Sequence, residues 1–466
     1  MKTQTKCITA RACQCPHPRM RLKALTLLIA AVFGGAGTMR GAGQYVKVDY
    51  PASTVGGELR IAVTYTLWIP NGVKSLRGII VHQHGAGMTA SKEGSTAAYD
   101  LHWQALAKKW DCALLGPSYH VLNDGDLGPA GSDYWFDPRL GSDKTFVKAL
   151  GEFAAKTGHP ELATVPWALW GHFAGAGWAD VMSTLHPERV IAVYYRSGSA
   201  FVWTNRPAMY PPVTIPAASY AIPRMCSTGM KETGLTRILL ATYGVYRSKG
   251  APAGFAQDPR TGHECGDSRY FAIPFLDACL AMRLPDKSSN DQSLKPMDLS
   301  QAWLAPLGGD AAVPAADYHG KPEKSMWLPN EAVAKAWMEY IKTGAVGDTT
   351  PPPAPFDVQV TQNAVQGSEI RWDAEADFES GIRNFIVLRD GTELAQVPEK
   401  PIGQFGRPLF QSMTYHDTPS QPMPEMRYVD ATAKAGEQHH YTVISVNSVG
   451  LKSAPSRESS AAQSQK

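Results

Sequence analysis

Residues 164–170 read Thr-Val-Pro-Trp-Ala-Leu-Trp, residues 171–175 read Gly171-His172-Phe173-Ala174-Gly175, and Ala176 to Leu185 follows as a small-residue and apolar run. The first stretch has the apolar, aromatic content of a buried strand, and the last has the length and spacing of a helix. Two glycines with three residues between them at the junction supply a sharp strand-to-helix turn. This block predicts a parallel α/β sheet with a functional turn at a strand end.

Working outward, 57–341 alternates strand and helix patterns. Strands are predicted at Leu59 to Trp68, Arg77 to His82, Cys112 to Leu115, Val165 to Trp170, Val190 to Tyr195, Ala221 to Thr228 and Ala253 to Asp258. Helices are predicted at Ala97 to Lys109, Lys144 to Ala155, Ala176 to Leu185, Thr236 to Ser248 and Tyr270 to Met282. The proline-dense stretch Thr349 to Pro355 reads as a stiff linker over 346–355. Beyond it, 356–456 carries short alternating segments (Val358 to Val360, Glu369 to Trp372, Asn384 to Leu388, His440 to Val446) and an Asp390-Gly391 turn. That is the signature of an all-β immunoglobulin-like sandwich. The polar tail, 457–466, is expected to be disordered.

The chain has 466 residues, 44% apolar and 19% charged, enough for more than one domain with a large core. Residues 1–43 contain seven basic residues and no acid, followed by or enclosing the apolar run Ala24 to Gly37. That run is too short to span a bilayer and fits a signal-peptide core, with Met20 as a start and Gly41-Ala42-Gly43 near the cleavage point. With this leader removed, 38 basic residues face 42 acidic ones, a net of −4. Mild acidity argues against nucleic acid and anionic membranes as partners. Export, to the periplasm or beyond, is the expectation. Cys13-Gln14-Cys15-Pro16-His17 falls in the leader and reads as part of it, not as a metal site. Cys112, Cys226, Cys265 and Cys279 remain, either as one or two disulfides or as buried thiols.

The pentapeptide 171–175 resembles the G-x-S-x-G nucleophile elbow of serine hydrolases, with Phe173 where the serine stands. Three further segments resemble parts of the same site. Gln83-His84-Gly85-Ala86-Gly87 follows a strand and resembles the oxyanion loop of esterases, so Gly85 and Ala86, with the amide of Ala174, are the candidate oxyanion hole. His263, in Thr261-Gly262-His263-Glu264, follows the last strand where the family places its base. Glu232, in Gly229-Met230-Lys231-Glu232, is the preferred acid, with Asp258 as its competitor.

On these residues, 44–345 resembles a secreted α/β-hydrolase of the carboxylesterase and polyester-depolymerase type. The pairing of Ile370-Arg371-Trp372 with 441–450 makes 356–456 similar to a fibronectin type III domain. The resemblance implies a mostly parallel sheet flanked by helices, no cofactor, no metal, and a small-molecule or polymeric ester as substrate. A carbohydrate or polyester surface is the partner implied for the C-terminal domain. Phe173 breaks the pattern, because it has no group to deprotonate. His84, His172, Trp135, Tyr195 and Ser197 are the candidate pocket, with Tyr134, Phe136, Trp203, Tyr210 and Tyr220 as further pocket, cap or core aromatics. Ser197 and Ser199 read as pocket wall, not as a replacement nucleophile. Asn123-Asp124-Gly125-Asp126 reads as a plain turn and His416, His439 and His440 as surface residues.

Overall fold

Strand β1 (Gly43–Tyr50) pairs antiparallel with β2 (Val63–Pro70), which pairs antiparallel with β4 (Cys112–Tyr119). From β4 onward the sheet is parallel through β3 (Gly78–Gln83), β5 (Trp167–His172), β6 (Val190–Arg196), β7 (Arg224–Gly229) and β8 (Ala253–Asp258). The strand order, β1-β2-β4-β3-β5-β6-β7-β8, is that of an α/β-hydrolase fold. The structure is a computed structural model and describes residues 42–87, 97–120, 135–200, 212–286, 293–363, 367–401, 425–434 and 436–461.

Every residue of β3 to β7 is buried, including those that point to opposite faces. Helices therefore cover both sides of the sheet, as a parallel sheet requires. They are α1 (Leu101–Lys109), α2 (Ser142–Thr157), α3 (Ala174–Leu185), α4 (Thr233–Arg247), α5 (Arg269–Arg283) and α6 (Glu331–Thr343). Asp100 caps α1, accepting the amides of His102 and Trp103 and an ion pair from Arg269 at 2.7 Å. A small antiparallel sheet, β10 (Val313–Pro314), β9 (Trp303–Pro306) and β11 (Ser325–Leu328), precedes α6. The sequence reading contained neither that sheet nor α6, nor β1.

The C-terminal region is two three-stranded antiparallel sheets, β12 (Phe356–Asn363), β13 (Gly367–Asp373) and β16 (Arg427–Asp430) against β15 (Thr392–Val397), β14 (Asn384–Arg389) and β17 (Tyr441–Val446). Ile370, Trp372, Phe385, Val387, Tyr441 and Val443 fill the space between them. Asp390 and Gly391 both have positive φ (50° and 79°), the two-residue hairpin turn that suits twisted strands. Leu101 of α1 sits in this same cluster, and His102 Nε2 donates to the Phe378 carbonyl at 2.9 Å, so the sandwich is seated on the α/β region.

Of the two alternatives left open for the cysteines the structure takes the buried thiols, and the expectation for the tail is corrected. Cys112, Cys226, Cys265 and Cys279 are all buried and none forms a disulfide. Burial raises the Cys112 thiol to about 12, so it packs as a small apolar group. Residues 457–461 of the tail are ordered, because Ser459 and Tyr441 exchange backbone hydrogen bonds of 2.8 and 3.0 Å. The leader to residue 41, Asn123 to Asp126, Tyr134, Trp203, Tyr210, His416 and 462–466 lie outside the described residues. Among the described residues, no helix is long and apolar enough to cross a membrane.

Candidate functional site

The turn after β5 forms because its two glycines leave no room for anything larger. A Cβ on Gly175 would lie 2.6 Å from the Gln83 carbonyl oxygen, and one on Gly171 would lie 2.6 Å from the Ala176 nitrogen. Between them Phe173 adopts φ +48° and ψ −105°, and α3 begins at the next residue. Such a backbone costs a bulky residue roughly 1–3 kcal/mol. It is held by the Phe173 amide donating to the Arg196 carbonyl at 2.8 Å and by the Gly177 amide donating to the Phe173 carbonyl at 3.1 Å.

His263 lies on the loop after β8, and its Nδ1 donates to Glu232 Oε1 at 2.6 Å. A carboxylate only accepts, so the proton sits on Nδ1 and Nε2 is the basic nitrogen. Glu232 follows β7 and is 9% exposed at its side chain, against 30% for His263. The competitor Asp258 does other work. It is fully buried, its Oδ1 accepts the Arg260 amide at 2.9 Å, and its Oδ2 accepts the Asp267 amide at 3.2 Å, bracing the turn that carries His263.

The Phe173 ring meets the His263 ring edge to face, with centroids 4.9 Å apart and planes at 81°. The side chain at the elbow thus points to the histidine, but offers a phenyl ring where a hydroxyl would stand. Ala174, as the first residue of α3, has no carbonyl one turn earlier for its amide to bond. The packing of Gly175 on the Gln83 carbonyl sets the Gly85–Ala86 segment beside that helix start.

The candidate pocket residues are placed unequally. Tyr195 does not face the cleft. It is fully buried and donates to Asp180 Oδ1 at 2.9 Å, and Arg224 donates to its hydroxyl at 2.6 Å, inside the sheet-helix core. Strand β6 is buried on both faces, so an apolar run gave no sign of which way this ring points. Ser197 is also no pocket wall: it is buried, and its hydroxyl donates to Glu232 Oε2 at 2.6 Å. Ser199 is buried and hydrogen-bonded to Thr242. His172 lies beneath the site, donating from Nε2 to the His263 carbonyl at 2.6 Å. His84 accepts the Tyr119 amide at Nε2 (3.0 Å) and donates from Nδ1 to the Gly85 carbonyl (2.6 Å). Trp135 stacks on Tyr119 at 4.3 Å and tilts against His84 at 4.8 Å. Burial pushes His84 down to about 4, and burial with the nearby His263 and Arg196 pushes His172 well below the usual histidine value, so both are neutral supports.

One residue was missed by sequence reasoning. Arg196 is fully buried at the end of β6 and donates to the Gly262 carbonyl (3.0 Å), the Thr261 hydroxyl (2.9 Å) and the Glu264 carbonyl (2.7 Å). It ties down the loop bearing His263 from below. Its signal was a lone cation closing the otherwise uncharged run Val190 to Tyr195. Among the described residues, Asp348, Asp377 and Glu379 bring possible metal-ligating atoms within 4.8 Å of one another, in the C-terminal region and outside this site.

No family model matches the chain, and no curated protein matches it. Solved structures that it resembles include a ferulic acid esterase, at 16% identity and TM-score 0.35, covering 47% of this chain and 91% of that one. An S-formylglutathione hydrolase from Agrobacterium tumefaciens is similar at 14% identity and TM-score 0.35, covering 52% and 94%. A Fn3-like protein from Clostridium thermocellum covers 24% of this chain and 94% of its own, at 16% identity and TM-score 0.17. The fold assignment rests on the strand order and not on these likenesses.

Proposed function

We propose that the chain is an exported carboxylic ester hydrolase scaffold whose nucleophile position holds Phe173, so that ester hydrolysis by the chain as it stands is lost or very low. The observation that carries this reading is the contact of the Phe173 ring with His263, while His263 keeps its 2.6 Å bond to Glu232. In the scaffold's chemistry a serine at 173 attacks the ester carbonyl, His263 Nε2 takes its proton, and Glu232 orients and charge-balances the imidazolium. The amides of Ala174 and of the Gly85–Ala86 segment stabilise the oxyanion. Without the nucleophile, only the roughly 10³- to 10⁴-fold catalysis over water from binding and oxyanion stabilisation is available, and a phenyl ring erodes even that.

A second reading is a pseudo-esterase that retains the cleft to hold a polymer or partner. Phe173 itself favours it, since its ring fills the elbow beside His263 and offers no group to attack an ester. In the first reading the substrate is an ester, small or polymeric; in the second the cleft holds a polymer or a partner, and in both the fibronectin-like sandwich is the module for a carbohydrate or polyester surface. Hydrolysis of p-nitrophenyl acetate by the purified chain beside Phe173→Ser tests the proposal. Turnover by the variant alone supports it; silence from both removes the hydrolase reading and leaves the binding one.

A further inference from the structure

The turn after β6, like the elbow, places a non-glycine residue in the left-handed region: Ser197 has φ +52°. Glycine adopts such a conformation freely, and Gly198 follows directly. Retaining a serine there calls for a use of its side chain. That side chain is fully buried and makes one short bond, from its Oγ to Glu232 Oε2 at 2.6 Å. The turn's path is fixed on both flanks. The Ser197 amide donates to the Ser227 carbonyl at 2.8 Å, and a Cβ on Gly198 would lie 2.6 Å from Phe173 Cα.

Glu232 needs something to hold it. It stands at the N-cap of α4 but makes no side-chain bond to the helix amides, the ordinary use of an acid there. Its carboxylate is turned instead toward His263, with one oxygen on the imidazole and the other on Ser197.

We infer that Ser197 is the positioning residue for Glu232, its strained backbone aiming a buried hydroxyl at the carboxylate oxygen that His263 does not use. This rests on the esterase reading of the site. It also fixes what Ser197 is not: a hydroxyl donating to Glu232 is separated from His263 by the carboxylate and is not a stand-in nucleophile.

The test uses the full chain with Ser197→Gly and Ser197→Ala. Glycine relieves the backbone, so any loss it causes belongs to the hydroxyl. In the chain with Phe173 in place, the proton on His263 Nδ1 is followed as a low-field NMR resonance, assigned by its absence in His263→Ala. Both variants are expected to move it upfield or lose it to exchange; an unchanged resonance in Ser197→Gly overturns the inference. In the Phe173→Ser background, Ser197→Gly is expected to lower kcat roughly tenfold with KM unchanged, the equivalent of one hydrogen bond to a charged group. Unchanged kcat overturns the inference, as does ester turnover by the chain with Phe173 that Ser197→Gly abolishes. If Phe173→Ser is itself inactive the esterase reading fails, and the NMR comparison still decides the role of Ser197.

Discussion

Adjacent strands β5 and β6 each end at a non-glycine residue with positive φ, and the two side chains differ in content. Phe173 at φ +48° and Ser197 at φ +52° are each followed within two residues by a glycine packed against neighbouring backbone. The first turn presents a phenyl ring to His263, and the second presents a hydroxyl to Glu232. The difference separates conformation from chemistry. Glycine contacts and the Phe173–Arg196 backbone bond dictate the elbow whatever side chain it carries, so the geometry persists without a nucleophile. In the second turn the side chain is itself part of the arrangement.

The largest effect that would sharpen this contrast is on catalysis. In the Phe173→Ser background, Glu232→Gln is expected to lower kcat by roughly 10⁴-fold, the usual result of disabling the acid of such a triad. Asp258→Asn should cost stability instead, since its oxygens brace backbone amides. Steady-state kinetics beside urea unfolding would break the comparison if the two variants behaved alike.

Next in size is Arg196→Met. Removing a buried guanidinium leaves the Gly262 and Glu264 carbonyls without their donor, and a loss of about 3 kcal/mol in unfolding free energy is expected. A loss within error would show that the loop bearing His263 is held by other means.

Gly175→Ala and Gly198→Ala are each expected to cost about 1–3 kcal/mol by overpacking, because the atoms nearest the added methyl are backbone. Thermal melts that left either variant as stable as the parent would deny that the elbow is dictated by its glycines.

The smallest effect is in pH, over the mild range from 7 to 6. Burial depresses His84 to about 4 from an unfolded value of 6.5, and His172 shifts in the same direction. The unfolded chain therefore takes up protons that the folded chain refuses. The stability that depends on these two neutral rings is present above about 6.5 and is lost as pH falls toward 4. Denaturant midpoints should begin to decline below pH 6.5, and a rise there would contradict the neutral, supporting role of the rings beneath the elbow.

The elbow was legible because its chemistry is local: strand, two glycines and helix lie within 22 consecutive residues, and a sharp turn at their junction followed from the motif. The nearness of His263 and Glu232 was legible from their places after β8 and β7, and the structure joins them by a 2.6 Å bond while Asp258 accepts backbone amides. What stayed hidden depends on direction and distance. Tyr195, Arg196 and Ser197 are consecutive, yet one faces the core, one the loop and one the acid. Their partners lie 15 to 68 residues away, which no period or spacing reveals. The short strands β9 to β11 carry too few residues for alternation to register.

The central claim is that the site lacks only its nucleophile. It is tested most directly by treating the chain and Phe173→Ser with a phosphonate ester that reacts covalently with activated serines, and locating the adduct by peptide mass. The account predicts stoichiometric labelling at position 173 in the variant and none in the chain with Phe173. Labelling at Ser197, labelling of the chain with Phe173, or an unlabelled variant would contradict it.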